Sequence, residues 1–182
     1  MKQVLKNPAV AFATRFIVLF AGLYGFYLIY LGIISPGNIY SPFLDHNFNF
    51  ISGLRHLLIN TSVGVLHLLG YTTKATDVQL MVPAHNIIII GYDCLGFGVM
   101  CFFTAFVLAY PKSLRLKMIF ITIGLLTIQL LNVCRFVWLT LYWHHSRVYI
   151  ADQHTVFNLV IYALIMVSLY FWIKTPKPVH DD

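Results

Sequence analysis

Long apolar runs alternate with short polar stretches along this chain, and the runs have the length of membrane spans. The first covers Phe16 to Ile34, 19 residues, close to the ~20 that cross the hydrocarbon of a bilayer. Lys2, Lys6 and Arg15 precede it, and Ser35-Pro36-Gly37-Asn38 ends it with turn chemistry. A signal peptide has a shorter apolar core and a small-residue cleavage site. Later runs predict further spans at about 95–110, 118–141 and 155–173. Pro111 and a basic loop, Lys112 to Lys117, separate the second from the third.

The stretches between spans have other patterns. Residues 39–50 are aromatic and polar without a strong period, as in a loop lying in the interface. Within 53–70, Leu54, Leu57, Leu58, Thr61, Val65 and Leu68 share one helical face, and His56, Asn60 and His67 share another. This predicts an amphipathic helix, interfacial or re-entrant. His56 and His67 read as polar-face residues. Val78 to Val82 and Asn86 to Gly91 read as short strands around Pro83-Ala84-His85.

Composition agrees with the pattern. Of 182 residues 59% are hydrophobic and only 10% charged, and mean hydropathy is +0.79. A surface so poor in charge is not built for water. The expectation is an all-α integral membrane protein, with residues 1–182 as a single membrane domain. It has about four transmembrane helices, one interfacial or re-entrant helix and a short extended outer segment.

The net charge of +6 comes from twelve basic and six acidic residues, with no Glu. Basic residues of membrane proteins collect in cytoplasmic loops. Lys2, Lys6, Lys112, Arg115, Lys117, Lys174 and Lys177 all fall on one side of a four-span arrangement with 53–70 not crossing. Both termini are therefore expected inside. This reading of the charge replaces nucleic acid with the lipid bilayer as the partner.

Three residues on different predicted spans carry the chemistry. Cys94 begins the second span, Arg135 lies in the third and His154 begins the fourth. Arg135 is six residues before Leu141, so about 9 Å below the outer helix end at ~1.5 Å per residue. A charge at that depth costs at least ~2.5–3.5 kcal/mol and calls for a partner or a polar cavity. Gln129, Asn132 and Arg135 recur every third residue and predict one inward polar stripe. A thiol near a cation at a helix N-terminus becomes a useful nucleophile. His154 supplies a proton donor and acceptor. Asp93 or Asp152 is available to orient it, or serves as an N-terminal helix charge. Asn158 is one turn below His154. Gly96 and Gly98 let another helix approach closely. Cys101 and Cys134 read as small core residues. His144-His145 lack further ligands at suitable spacing, so no metal and no cofactor are expected.

Cys94-Leu95-Gly96 at a helix start, Asn132-x-x-Arg135 late in the next helix and His154 at the start of the last resemble the exosortase/archaeosortase family. The resemblance covers about residues 78–173. It implies a membrane-embedded cysteine transpeptidase, with Cys94 as nucleophile, Arg135 as stabiliser of the carbonyl or oxyanion and His154 as acid and base. It implies a membrane-anchored substrate bearing a C-terminal sorting signal, and an amine or water as acceptor. It also implies the bacterial cytoplasmic (inner) membrane, with the site facing outside. Many members have Ser, Thr or Ala after the cysteine, where this chain has Leu95, and many have additional spans. The alternative class is a small transport or assembly protein with a polar path lined by Arg135, Asn132 and His154.

Overall fold

A computed structural model describes residues 7–35, 37, 39–142 and 153–174, the side chains of 153–156 excepted. The chain is an all-α, multi-pass membrane protein with a small three-stranded sheet. Among the described residues four helical segments are long and apolar enough to cross a membrane: Pro8–Ile34, Tyr92–Ala109, Leu114–Tyr142 and Phe157–Lys174. Helix α1 (Pro8–Ile34) is 27 residues long. Asn7 caps it by accepting from the Ala9 amide at 3.0 Å, and Pro8 fills the first helical position, where its missing N–H costs nothing.

The expected loop at 39–50 contains a helix, α2 (Pro42–Phe48). Asn49 then caps α3 (Phe50–Leu68) by accepting from the Ser52 amide at 2.8 Å. The Asn49 amide donates to Asp45, whose other oxygen accepts from Tyr40. Those bonds hold the Asp45 carboxyl below its ordinary pKa.

Helix α3 is not among the four spanning segments. Its buried face does not coincide with the apolar stripe of the sequence. Ile51, Arg55, Leu58, Ile59, Ser62 and Leu66 are buried, while Leu57 and Leu68 are exposed. In a bilayer protein apolar side chains also face lipid, so an apolar stripe alone does not identify the packed face.

Three short strands follow: β1 (Lys74–Ala75), β2 (Gln79–Met81) and β3 (Ile87–Ile89), antiparallel in the order β1-β2-β3. Leu80 pairs with Ile88 at the centre and both are buried. β1 extends the expected strand pair. The β2–β3 turn meets the C-terminal end of α5 (Leu114–Tyr142): Asn86 donates through its backbone and its side-chain amide to Thr140 O, each at 3.3 Å. His85 Nδ1 is 3.1 Å from Leu141 O. These contacts satisfy carbonyls that a helix end leaves without intrahelical partners.

Helix α4 (Phe97–Ala109) and helix α6 (Gln153–Lys174) complete the chain. Two compact units divide it. One holds residues 1–24, 98–125 and 149–182. Within it Phe12, Phe16, Phe20 and Tyr24 stack at four-residue spacing along α1. Their edges meet Phe102 and Phe106 of α4 and Tyr110 just after it. The expected third span starts earlier than its apolar run, at Leu114, so Arg115 and Lys117 lie inside α5. Lys117 Nζ donates to Leu108 O in the last turn of α4 at 2.7 Å, a favourable place for a cation. Cys101 is half-buried, and Cys134 is exposed rather than in the core, again because lipid accepts small apolar groups.

The other unit holds residues 25–97 and 126–148. Tyr27 stacks on Phe97 at 4.9 Å, Tyr30 on Phe50 at 4.4 Å, and the Tyr30 hydroxyl donates to Phe48 O. This unit carries Cys94.

Candidate active site

Cys94 does not sit in the α-helix. It lies in a separate 3₁₀ turn, Tyr92–Leu95, one step before α4. The turn closes with the Cys94 amide donating to Gly91 O at 3.1 Å. It ends because Gly96 adopts the left-handed conformation, φ 74° and ψ 19°, which glycine enters without a Cβ penalty. The consequence is chemical. The break leaves the carbonyls of Cys94 and Leu95 without helical partners, so other donors must meet them.

The polar stripe of α5 supplies those donors. Gln129 Nε2 and Asn132 Nδ2 donate to Leu95 O at 3.3 and 3.4 Å. Asn132 Nδ2 is also 3.1 Å from Gln129 Oε1. Arg135 Nη2 donates to Cys94 O at 3.4 Å. Asn132 is 1% exposed and Arg135 3%, so the stripe points inward, as expected from its three-residue spacing. Asn132 bonds Leu95 and Gln129, not the Arg135 guanidinium.

The structure thus brings Cys94, Gly96, Asn132 and Arg135 together in one unit. Cys94 is half-buried; Asp93, beside it in the turn, is exposed. Leu95 is fully buried and anchors the turn. His154 stands in the first turn of α6 and half-buried Asn158 one turn further. Both belong to the other unit, and the His154 side chain and Asp152 lie outside the described residues.

One buried cation near the turn is not among the expected site residues. Arg55 of α3 is 9% exposed, and its guanidinium lies 5.1 Å from the centre of the Tyr92 ring. The signal was present in the sequence. Arg55 stands four residues from both Ile51 and Ile59, in the middle of what the fold makes the buried face.

Chemically, the arrangement presents a thiol from a short turn whose two terminal carbonyls are held by side chains of a neighbouring helix. Such support fixes a reactive group more closely than a loop does.

Comparison with known proteins adds one finding. The family model described as transmembrane exosortase (Exosortase_EpsH) matches residues 4–171. Neither the comparison with curated proteins nor that with solved structures gave a match.

Proposed function

Because the chain belongs to the transmembrane exosortase family, a family of membrane sorting transpeptidases, we propose that it cleaves a C-terminal sorting signal through a thioester on Cys94. The observation that carries this reading is the turn itself: Cys94 is presented with its own carbonyl held by the buried Arg135. The substrate is an exported protein with a short recognition motif, one membrane helix and a basic tail. The site faces outside the cytoplasmic membrane, where it reaches a peptide bond just beyond the substrate's helix.

The reaction divides into two displacements. The Cys94 thiolate attacks the scissile carbonyl carbon and forms a tetrahedral oxyanion. The C–N bond breaks, the thioester forms, and the departing amine takes a proton from His154. An incoming amine or water then gives a proton to His154 and attacks the thioester. The acyl group leaves with the new nucleophile and the thiolate is restored. Arg135 serves the oxyanion in both steps. Its hydrogen bond to Cys94 O fixes the guanidinium relative to the residue that attacks. A well-placed donor of this kind is worth roughly 3–4 kcal/mol in the transition state. Asn132, Gln129 and Gly96 hold the turn. Asp93, Asp152 and Asn158 are supporting residues, the carboxylates for orienting His154 and Asn158 for the same helix face.

The test is a comparison of membrane-protein C-termini in the native host. Strains carrying the wild-type gene or Cys94→Ala are compared by quantitative proteomics. A set of exported proteins is expected to keep its C-terminal membrane helix only in the Cys94→Ala strain. Identical C-termini in both strains overturn the reading.

A further inference from the structure

We propose that Arg55 is a substrate-holding residue of the Cys94 site: its guanidinium, seated on Tyr92, takes an oxygen acceptor of the peptide whose bond Cys94 attacks. The inference rests on the thioester reading above and adds a second arginine to it.

Arg55 is placed where a purely structural residue would be apolar. Ile51, Leu58, Ile59 and Leu66 surround it on the buried face of α3. Burying a guanidinium there is costly unless something compensates it. Contact with the Tyr92 ring compensates part, on the scale of ~0.5–2 kcal/mol. The Nε–H is buried and, among the described residues, has no acceptor. Among the described residues no carboxylate pairs with Arg55. Asp45 accepts from Tyr40 and Asn49, and Asp77 lies 3.9 Å from His56. A buried donor without an acceptor is rare in folded proteins and calls for a ligand or water. The missing group is an oxygen acceptor, and a carboxylate would also answer the charge.

Its location says whose oxygen. Tyr92 and Cys94 belong to the same four-residue turn. Arg55 reaches the turn from α3 at Tyr92, and Arg135 reaches it from α5 at Cys94 O. A peptide attacked by Cys94 must pass this turn. Two sources of the oxygen are open to it: a backbone carbonyl near the scissile bond, or an acidic side chain of the recognition motif. Either is matched by a planar guanidinium beside a ring, and poorly matched by a hydrated ammonium.

The experiment uses full-length protein in the native host, and the substrates found by their dependence on Cys94. Arg55→Met, Arg55→Lys, Tyr92→Phe and Tyr92→Leu strains are scored for removal of the substrate's C-terminal helix. Purified variants are scored for alkylation of Cys94 by iodoacetamide, which needs the turn but no peptide. Arg55→Met is expected to lower cleavage at least ~10-fold, the scale of one lost hydrogen bond to a charged group. Alkylation is expected to stay unchanged. Arg55→Lys should not restore cleavage, and Tyr92→Phe should be tolerated better than Tyr92→Leu. Undiminished cleavage in Arg55→Met overturns the proposal. Parallel loss of alkylation also overturns it, since Arg55 would then only position the turn. Cleavage that survives Cys94→Ala overturns the thioester reading itself, and with it this one. Replacing acidic substrate residues near the cleaved bond by amides separates the sources. If Arg55→Met then has no further effect, the acceptor is a carboxylate; if its effect persists, it is a backbone carbonyl.

Discussion

Gly96 and Asn132 are fitted to each other: a Cβ on residue 96 would stand 3.0 Å from Asn132 Nδ2. The same amide nitrogen donates to Leu95 O. The glycine therefore does two things at once. It turns the chain out of the 3₁₀ conformation, and it leaves room for the side chain that holds the resulting free carbonyl.

Gly96→Ala should for this reason damage the site beyond its cost in backbone strain. A left-handed alanine costs roughly 1–2 kcal/mol, and the new methyl pushes Asn132 from Leu95. The expected outcome is a lower melting temperature in detergent and impaired Cys94-dependent cleavage. Gly64→Ala is the control, because nothing lies within 4 Å of the added Cβ and alanine is the better helix former by ~1 kcal/mol. Equal behaviour of the two variants would remove the coupling between Gly96 and Asn132.

The three cysteines separate nucleophile from packing. Cys94→Ser and Cys94→Ala should insert and fold, and leave the sorting signal uncleaved. Cys134→Ala should be neutral, since Cys134 is exposed on its helix. Cys101→Ala should cost a little packing and keep activity. Measured processing of the host substrates decides between them, and full processing by Cys94→Ala ends the covalent mechanism.

The spans, the strand pair and the inward polar stripe were legible because each rests on a strong local signal. Apolar length marks the spans, the isoleucine run from Ile87 to Ile90 marks the strand, and three-residue spacing marks Gln129, Asn132 and Arg135. What could not be read locally depends on distant parts of the chain. The left-handed Gly96 makes Cys94 part of a turn rather than of α4, and the side chain that meets the freed Leu95 carbonyl is Asn132, far along in sequence. Arg55 stands off the apolar stripe of residues 53–70, yet the fold buries it. In lipid, Leu57 and Leu68 are free to face outward, so the apolar stripe did not name the packed side. Likewise, nothing near Asn86 announced that it would cap the end of α5.

The orientation proposed here rests on the charge distribution and is open to direct measurement. In a background lacking other reactive thiols, a cysteine placed at Thr73 should react with a membrane-impermeant reagent added to intact spheroplasts. One placed at Ser113, between α4 and α5, should react only after lysis. The reverse pattern would put the β-sheet inside and remove the outer-face site.

Arg135 offers the sharpest division between two physical roles. If it serves only as a positive charge within the bundle, a lysine should replace it almost fully. If it holds the developing oxyanion while anchored on Cys94 O, its planar fork of donors matters. One arm must reach the Cys94 carbonyl, as it does at 3.4 Å, while the guanidinium also faces the substrate. A compact, strongly hydrated ammonium at the end of a flexible stem does not do both. Arg135→Lys is therefore expected to insert and melt like the parent and to leave Cys94 open to iodoacetamide. Its acylation rate should fall at least ~100-fold, the scale of one lost oxyanion donor. Arg135→Ala should be no more active, and it sheds a buried charge, so it should be no less stable than Arg135→Lys. Acylation by Arg135→Lys within a few-fold of the parent would leave Arg135 as a charge alone. The oxyanion would then have to be held by backbone amides of the Cys94 turn.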